Sequence, residues 1–446
     1  MFKVEDLLKV TSGRLISGPI GAQVKSASID SRMVLAGEAF IAIKGERFDG
    51  HDFIGEVIKK GVKVIIAHKK LSADKGVSVI LVKDTVKALG DIARFNRRRF
   101  NIPVIAVTGS NGKTTSKDMI AWVLEAKYKV LKNFGTKNNH IGLPQTLLGL
   151  DKTHDCAVLE IGTNHFGEVE YLAKICEPNI GVVTNIGPSH LEFLKGLSGV
   201  YREKYSLIRN LRNPRIAVLN SDDKFLAKHL KNKERLSFNI GAGFNAASDF
   251  RAMSLKSEKT KTRFEVNKKY NFTLNTPGSY NIHNALQAIA IARIFGLDYK
   301  VIAQRLNNFQ FPKGRLNLIE VGGIRFIDDT YNSNPLSLRC ALEALKGIRA
   351  SGKFMVMGDM LELGKSTQEF HAGAVRLALE TCDCLITVGK HSRQACKNIK
   401  SGNKKIFSCA TSAHARETLL SLRPGKNDIV LVKGSRAIKL EEVFKI

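Results

Sequence analysis

The sequence lacks the cysteine patterns that mark disulfide-stapled or zinc-binding proteins. Its seven cysteines are odd in number, and no two form a CxxC pair, so neither a disulfide framework nor a zinc site is indicated. No apolar run approaches the roughly 18 residues that a membrane-spanning helix needs. The N-terminal MFKVEDLLKV also lacks the apolar core of a signal peptide. We therefore expect a cytoplasmic protein with inert core thiols and no membrane insertion.

Acidic residues are also scarce. The 446 residues include 41 acidic and 70 basic side chains, which gives a net charge of +29. Such a charge attracts anions, including nucleotides, phosphates and nucleic acid. The basic residues are nevertheless spread along the whole chain, and their densest cluster, Arg94 with Arg97–Arg99, is typical of a solvated helix end. We therefore do not expect nucleic acid as the primary ligand, and a lysine-rich proteome would explain the charge equally well.

Three α/β blocks follow one another without repeats or low-complexity linkers. At about 100–200 residues per domain, the chain divides into residues 1–101, 102–312 and 313–446. The middle block contains near-continuous apolar strands separated by helical patterns, which favours a mostly parallel sheet covered on both faces. Its residues 247–276 alternate with period two, as antiparallel hairpins do. The third block alternates strands and helices again.

The strongest local signal is a phosphate-binding loop. An apolar strand, VIAVTG, runs into SNGKTT and then into a helical pattern at residues 104–115. Glycines let the backbone approach phosphate closely, while N–H groups and the helix N-terminus face its oxygens. In this pattern Lys113 reaches the outer phosphates and the Thr114 hydroxyl binds Mg²⁺. The match is imperfect, because Val107 stands where the full pattern has its first glycine.

Two further polar residues follow predicted strands of the same block. Glu160 ends CAVLEIG, and His190 follows GVVTNIG. The phosphate loop opens at the same side of the sheet, so a carboxylate and an imidazole there would suit divalent cations. Taken alone, His190 could equally cap a loop.

Six motifs together carry a resemblance to a known family. In chain order they are TGSNGKTT, LEIGTNH, NIGPSHLEF, GSYNIHNALQA, KGRLN and IDDTYNSNP. In this order and spacing the sequence resembles the Mur ligases and their folylpolyglutamate synthase relatives over essentially its whole length.

The resemblance implies three domains. The first binds a UDP-sugar substrate, the central one binds ATP, and the last, which has a dinucleotide-binding (Rossmann-like) fold, closes over the site. It also implies a sequential reaction in which ATP phosphorylates a terminal carboxylate to an acyl phosphate, an amine attacks, and phosphate leaves. The enzyme's task is then to position anions and stabilise spread negative charge.

Residue roles at the nucleotide carry over where the motifs match. The resemblance implies catalytic roles for Lys113, His190, Lys204 and Arg315. It implies two Mg²⁺ ions held by Thr114, Glu160, His190 and Lys204, with Lys204 carbamylated by CO₂. The nucleotide-binding residues that it implies are Gly109, Ser110, Asn111, Gly112, Lys113, Thr114, Thr115, Asn281, Asn284, Arg315 and Asp329.

Several segments resemble the branch of the family that adds D-alanyl-D-alanine to a UDP-N-acetylmuramoyl tripeptide in peptidoglycan synthesis. They are DSR at 30–32, KGERFDGHDF, GTKNNHIGLPQTLL, DDTYNSNP, MGDMLELG and VKGSRAIKLEEV. The substrate residues that they imply are Ser31, Arg32, Asn138, Asn139, Tyr331, Asn334, Ser435 and Arg436, with Asp359, Glu362 and Lys433 as further candidates on the acceptor side.

Other members of the family remain alternatives. The ligase that adds diaminopimelate as the third residue carries a DNPR motif in its last domain, whereas the similar string here, Arg212–Arg215, lies in the central block. Folylpolyglutamate synthase lacks the UDP-sugar module that the first block resembles. A binding protein that has lost catalysis would not need Lys113, Glu160, His190, Lys204 and Arg315 together. We expect a monomer, and the sequence leaves open whether the tripeptide carries lysine or diaminopimelate.

Overall fold

The computed structural model describes residues 1–71, 75–230, 238–258, 260–397, 399 and 402–446. Its strands form three large sheets of five, nine and six strands, together with one two-stranded pair. Each large sheet falls inside one of the three predicted blocks. The three-part α/β architecture is therefore confirmed, while the residue bounds of the domains stay a prediction.

The first sheet has the order β2-β7-β6-β5-β4, and only β2 runs antiparallel to its neighbour. Asp84 caps the long helix that follows the sheet by accepting hydrogen bonds from Val86 N and Lys87 N. The elements of this part are β1 Phe2–Lys3, α1 Val4–Thr11, β2 Arg14–Ser17, β3 Gln23–Val24, β4 Ala27–Ser28, β5 Ala39–Ile41, a 3₁₀ helix Gly50–Phe53, α2 Ile54–Lys59, β6 Val64–Ala67, β7 Ser78–Leu81 and α3 Thr85–Arg98.

The central sheet has the order β16-β15-β14-β13-β12-β11-β8-β10-β9. Its elements are β8 Val104–Thr108, α4 Lys113–Leu124, β9 Val130–Lys132, α5 Gly142–Leu148, β10 Cys156–Glu160, α6 Glu168–Cys176, β11 Ile180–Val183, α7 Leu191–Leu194, α8 Leu197–Arg209, β12 Ile216–Asn220, α9 Lys224–Leu230, β13 Phe238–Gly243, β14 Phe250–Ser257, β15 Thr262–Val266, β16 Tyr270–Leu274, α10 Tyr280–Ile294 and α11 Tyr299–Asn307.

The strands of this sheet explain the apolar runs in the sequence. Strands β8, β10, β11 and β12 are buried along their whole length and pair in parallel, because helices cover both faces. Strands β14, β15 and β16 pair antiparallel, which confirms the predicted hairpins. The parallel strands all end at one edge of the sheet, where loops can carry polar groups towards a ligand.

The third sheet has the order β17-β18-β22-β19-β20-β21, and only β17 is antiparallel to its neighbour. Its elements are β17 Asn317–Val321, β18 Ile324–Asp329, α12 Pro335–Gly347, β19 Lys353–Gly358, a 3₁₀ helix Gly364–Ser366, α13 Thr367–Thr381, β20 Cys384–Val388, α14 Lys390–Cys396, β21 Lys405–Cys409, α15 Ser412–Ser421, β22 Ile429–Lys433 and 3₁₀ helices Arg436–Ile438 and Leu440–Phe444.

The arginine cluster of α3 is not a solvated helix end, so that interpretation was wrong. Arg97 is only 6% exposed, and its guanidinium donates to the carbonyls of Cys176, Phe100 and Ile102. Arg94 and Arg98 both pair with Glu177 of the central part. The cluster therefore attaches the first sheet's last helix to the central sheet. Sequence alone could not show this, because Glu177 lies far along the chain.

Two expectations about the whole chain can be compared with the structure. All seven cysteines are free thiols, and burial raises the pKa of Cys156, Cys176 and Cys382 to about 12. A pKa this high keeps these three thiols protonated at neutral pH, which agrees with the inert core thiols expected from the sequence. None of the helices in the described ranges has the length and apolarity that crossing a bilayer would need.

Candidate functional site

A cavity of about 490 Å³ lies between the central and third sheets, a size common for small-ligand sites. The carboxyl ends of β8, β10 and β11 supply one wall, and the third part supplies the other through the ends of β18 and β22. Asp329 and Lys433 are register partners at those two ends. Most of the lining residues carry polar or charged side chains, so the cavity suits a charged ligand.

The predicted phosphate loop connects β8 to α4, and Lys113 begins the helix. Gly112 has φ +79°, and a Cβ there would lie 2.5 Å from Asn284 Oδ1, so only glycine fits. Asn185 fixes the loop from below, because its Oδ1 accepts from Asn111 N at 3.0 Å and its Nδ2 donates to Asn111 O at 3.1 Å. Ser110, Asn111, Gly112, Lys113, Thr114 and Thr115 all line the cavity, whereas Gly109 does not.

Lys113 lies over its own loop. Its Nζ donates to the carbonyls of Gly109, at 2.9 Å, and Ser110, at 3.4 Å. Burial lowers the pKa of Lys113, the nearby carboxylate of Glu160 opposes that shift, and Arg315 adds to it. A triphosphate would supply negative charge to pair with the Lys113 ammonium and the Arg315 guanidinium.

Arg315 crosses from the third part to the loop. Its Nη2 donates to Thr114 Oγ1 at 3.2 Å, and its guanidinium stacks 3.9 Å from the ring centre of Tyr331. Asn334 makes a second crossing contact: its Nδ2 donates to Asn111 Oδ1 at 2.7 Å. The third part therefore contacts the phosphate loop directly, through two of the residues predicted for the site.

Glu160 and Lys204 each carry a buried polar atom without a partner. Asn138 Nδ2 donates to Glu160 Oε1 at 2.7 Å, but Glu160 Oε2 and Lys204 Nζ make no hydrogen bond within the described residues. Lys204 is fully buried, and burial, with the charge of Lys113, lowers its pKa well below the usual range. Lys204 lies behind the cavity lining, whereas Glu160 and Thr114 line it.

His190 lines the cavity and faces the third part. Its Nδ1 lies 2.5 Å from Glu362 Oε2, and burial lowers its pKa. Among the described residues no three His, Cys, Asp or Glu side chains cluster as a metal site. The predicted set instead mixes the Thr114 hydroxyl, Glu160 and His190 with Lys204. The two unpartnered atoms fit a bound cation together with a modified lysine, because buried polar atoms normally have partners.

The residues predicted for the ribose and the adenine lie on both walls of the cavity, Asp329 in the third part and Asn284 beside Gly112 of the phosphate loop. Asp329 accepts from Lys433 Nζ at 2.6 Å, and burial raises its pKa. Asn284 lines the cavity, but Asn281 does not. Asn281 Oδ1 accepts from Asn284 Nδ2 at 2.9 Å. Asn281 is therefore placed to orient Asn284 in this structure.

Comparisons with known proteins address the same three parts of the chain. Family profiles described as "Mur ligase family, catalytic domain", "Mur ligase middle domain" and "Mur ligase, glutamate ligase domain" match residues 23–97, 107–292 and 314–436. The UDP-N-acetylmuramoyl-tripeptide–D-alanyl-D-alanine ligase of Bacillus subtilis is 34% identical, over 95% of this chain and 93% of its own. The Escherichia coli protein of that name is 31% identical, over 99% and 97%.

This chain belongs to the Mur ligase family. Solved structures agree: MurF from Acinetobacter baumannii superposes with a TM-score of 0.90 at 32% identity, covering 99% of this chain and 97% of that one. MurF ligase from Thermotoga maritima in complex with ADP gives 0.83 at 30% identity, covering 95% and 96%.

Five of the predicted substrate residues of this Mur ligase do not line the cavity. Arg32 pairs with Asp30 and holds the pKa of that carboxyl at about 2, while the Ser31 carbonyl accepts from Lys60. Asn139 accepts from the backbone at the start of α5. Ser435 Oγ accepts from Leu361 N, and Arg436 pairs with Glu441. Their roles towards substrate stay predictions.

The sequence analysis missed residues that position the others. Glu203, next to Lys204, is 3% exposed and accepts from Gly167 N at 2.7 Å and Val169 N at 2.8 Å. It fixes the loop after β10. Asn185 stands at the end of β11, where a polar residue after an apolar strand could have drawn attention. Glu203 gave no such signal, because it sits inside a helical pattern beside many other charges.

Proposed function

We propose that this chain is an ATP-dependent ligase that joins D-alanyl-D-alanine to a UDP-N-acetylmuramoyl tripeptide. The observation that most supports this proposal is that one cavity is lined by the phosphate loop, Glu160, His190, Arg315 and Asp329. The substrate assignment is supported by relatives of that name, which match nearly the whole chain. The product would be the muramoyl-pentapeptide precursor of peptidoglycan, made in the cytoplasm and needed for cell shape and division.

The nucleotide would lie along the cavity with its phosphates at the loop. Backbone N–H groups at the start of α4, Lys113 and Arg315 would hold the outer phosphates, and Asp329 would accept from the ribose. Asn284 would face the base. Because Arg315 and Asp329 come from the third part, ATP is held in a reactive geometry only when that part closes.

Mg²⁺ would be held by Thr114, Glu160 and His190, and it would neutralise charge on the transferring phosphate. Lys204 would support this site in a modified form. Its buried amine lacks a partner within the described residues, and burial lowers its pKa well below the usual range, which favours the neutral form whose lone pair can attack CO₂. The new N–C bond gives a carbamate, one proton is released to solvent, and a cation is thereby replaced by an anion that suits the metal.

The ligation then needs two transfers. A carboxylate oxygen of the tripeptide attacks the γ-phosphorus, ADP leaves, and an acyl phosphate forms. The amine nitrogen of the dipeptide attacks the acyl carbon, the C–O bond to phosphate breaks, and the amine loses a proton. Lys113 and Arg315 would stabilise the charge that spreads over the phosphate oxygens in both steps.

The testing experiment is phosphate release from ATP with UDP-N-acetylmuramoyl tripeptide and, in turn, D-alanyl-D-alanine, D-alanine, diaminopimelate, lysine and glutamate. Turnover that requires both the UDP-tripeptide and D-alanyl-D-alanine supports the proposal. A second series replaces the tripeptide with UDP-N-acetylmuramoyl dipeptide, and turnover there with diaminopimelate or lysine would assign the chain to the third-residue branch instead. Lys113→Ala should abolish release in every arm, and activity in that variant would refute the phosphate site.

A further inference from the structure

One segment of the third part, residues 360–366, lies against the central part beside the cavity. The Glu362 carboxylate reaches His190, with 2.5 Å between Oε2 and Nδ1. The same residue's carbonyl accepts from Glu192 N at 3.2 Å. Leu191, between these two contacts in the chain, packs against the third part's hydrophobic core. The contact to His190 is thus part of a docked surface.

Backbone conformation, close packing and hydrogen bonds hold the segment, and with it Glu362, in one position. Glu362 and Gly364 both have left-handed backbones, with φ of +62° and +57°. A Cβ at Gly364 would lie 3.1 Å from Glu192 Cα, so the close approach favours glycine. Behind the segment, His371 Nε2 accepts from Met360 N and Ser435 Oγ accepts from Leu361 N, both at 3.0 Å.

A carboxylate at Nδ1 determines what the other ring nitrogen can do. When Nδ1–H donates to Glu362, the imidazole is fixed in rotation, and Nε2 keeps its lone pair. Within the described part of the chain Nε2 makes no hydrogen bond, and His190 lines the same cavity as Glu160 and Thr114. Carboxylates that orient a metal-binding histidine in this way raise its basicity and its affinity for the metal.

We propose that Glu362 is the positioning residue for His190, so that the divalent-cation site is complete only when the third part docks. This inference rests on the proposed function, because it assumes that a metal–nucleotide complex occupies the cavity. Arg315 and Asn334 couple docking to the phosphate loop. Glu362 couples it to the metal ligand, and the nucleotide and its metal would therefore be captured together.

The experiment measures Mn²⁺ binding by electron paramagnetic resonance in the presence of a non-hydrolysable ATP analogue, so that no turnover is needed. Glu362→Gln should weaken Mn²⁺ binding roughly 10–100-fold, the usual cost of losing such a partner. With ¹⁵N-labelled histidine, the Mn²⁺–imidazole coupling of the wild type should also fall in the variant. The control variant Glu369→Gln removes an exposed carboxylate in the first turn of α13, and it should change neither signal.

A docking control separates positioning from simple closure. Gly364→Ala should loosen the segment against Glu192 while the chain keeps the Glu362 carboxylate. Small-angle X-ray scattering measures how far each variant closes. Weaker Mn²⁺ binding in Glu362→Gln with wild-type closure supports the proposal. The proposal is overturned if Glu362→Gln binds Mn²⁺ as tightly as the wild type does. It is also overturned if Gly364→Ala opens to the same extent as Glu362→Gln and loses the same affinity for Mn²⁺. If the wild type binds Mn²⁺ with the nucleotide but turns over no D-alanyl-D-alanine, the proposed function alone fails.

Discussion

The central and third parts each contain a fully buried lysine, in opposite circumstances. Lys204 of the central part is 0% exposed, and Lys433 of the third part is 1% exposed. Lys433 Nζ donates to Asp329 Oδ2 at 2.6 Å and to the Asn332 carbonyl at 2.8 Å. Lys204 Nζ has no hydrogen-bond partner within the described residues.

The difference shows how to tell a structural group from a reactive one. A buried charge is tolerated when it is paired and hydrogen-bonded, as Lys433 is. An unpaired buried ammonium costs so much that the group loses its proton instead. Folding alone does not account for Lys204, since a buried methionine would cost less. The proposed carbamylation would give Lys204 a role in the chemistry of the site, and the following predictions test this comparison.

Lys433→Met should give the largest loss of stability. Removing the ammonium leaves the Asp329 carboxylate buried without its partner, at a cost of about 3–5 kcal/mol. Hydrogen exchange of β18 and β22, followed by mass spectrometry, measures this within the third part. The double variant Lys433→Met with Asp329→Asn should recover most of the stability. If it is as unstable as the single variant, the buried pair is not the reason.

Lys204→Met should show the opposite pattern. We expect kcat to fall by roughly 10²–10³-fold, as when one electrostatic group of an active site is removed, with unchanged or higher stability. The single tryptophan, Trp122, lies in the central part, so its fluorescence during urea unfolding reports that stability. Short carboxylic acids should partly restore turnover in Lys204→Ala but not in Lys113→Ala. If Lys204→Ala keeps its turnover and short carboxylic acids do not raise it, the proposed carbamate is refuted.

Asn334→Ala should give a smaller, two-part effect. Asn334 caps α12 through Ser337 N and also contacts Asn111 of the phosphate loop. Loss of the cap costs about 1 kcal/mol, and loss of the contact should raise the KM for ATP roughly two- to tenfold, as for one neutral hydrogen bond. Thr411→Ala removes the cap of α15 in the same part. Thr411→Ala should lower stability by the same amount but leave the KM for ATP unchanged. If both variants have the same KM, the contact between Asn334 and Asn111 does not contribute to ATP binding.

The smallest effect concerns pH. His371 is fully buried, and burial lowers its pKa in the folded chain. Its contribution to stability is therefore complete above its unfolded pKa of about 6.5 and is lost as pH falls below that value, by at most about 1.4 kcal/mol per pH unit. His371→Gln should flatten the pH dependence of third-part hydrogen exchange below neutrality. The exposed His414→Gln serves as control, and an unchanged slope in His371→Gln would contradict the prediction.

The sequence by itself determined the local elements and the family. The apolar strand, glycine turn and GKTT helix start predicted the phosphate loop, and continuous against alternating hydrophobicity separated parallel strands from hairpins. These features depend on near neighbours in the chain, so they are legible in sequence. Their positions after apolar strands pointed to Glu160 and His190, and the resemblance added Arg315 and Asp329. The fold brings all four to one cavity.

Only the tertiary structure decided how these residues are paired. Sequence could not show that Lys204 lacks a partner while Lys433 has two, because burial and charge pairing depend on residues distant in the chain. It likewise could not show that Glu362 reaches His190 across 172 positions, or that Arg97 is buried. Side-chain identity determines which interactions are available, and packing determines which of them are made.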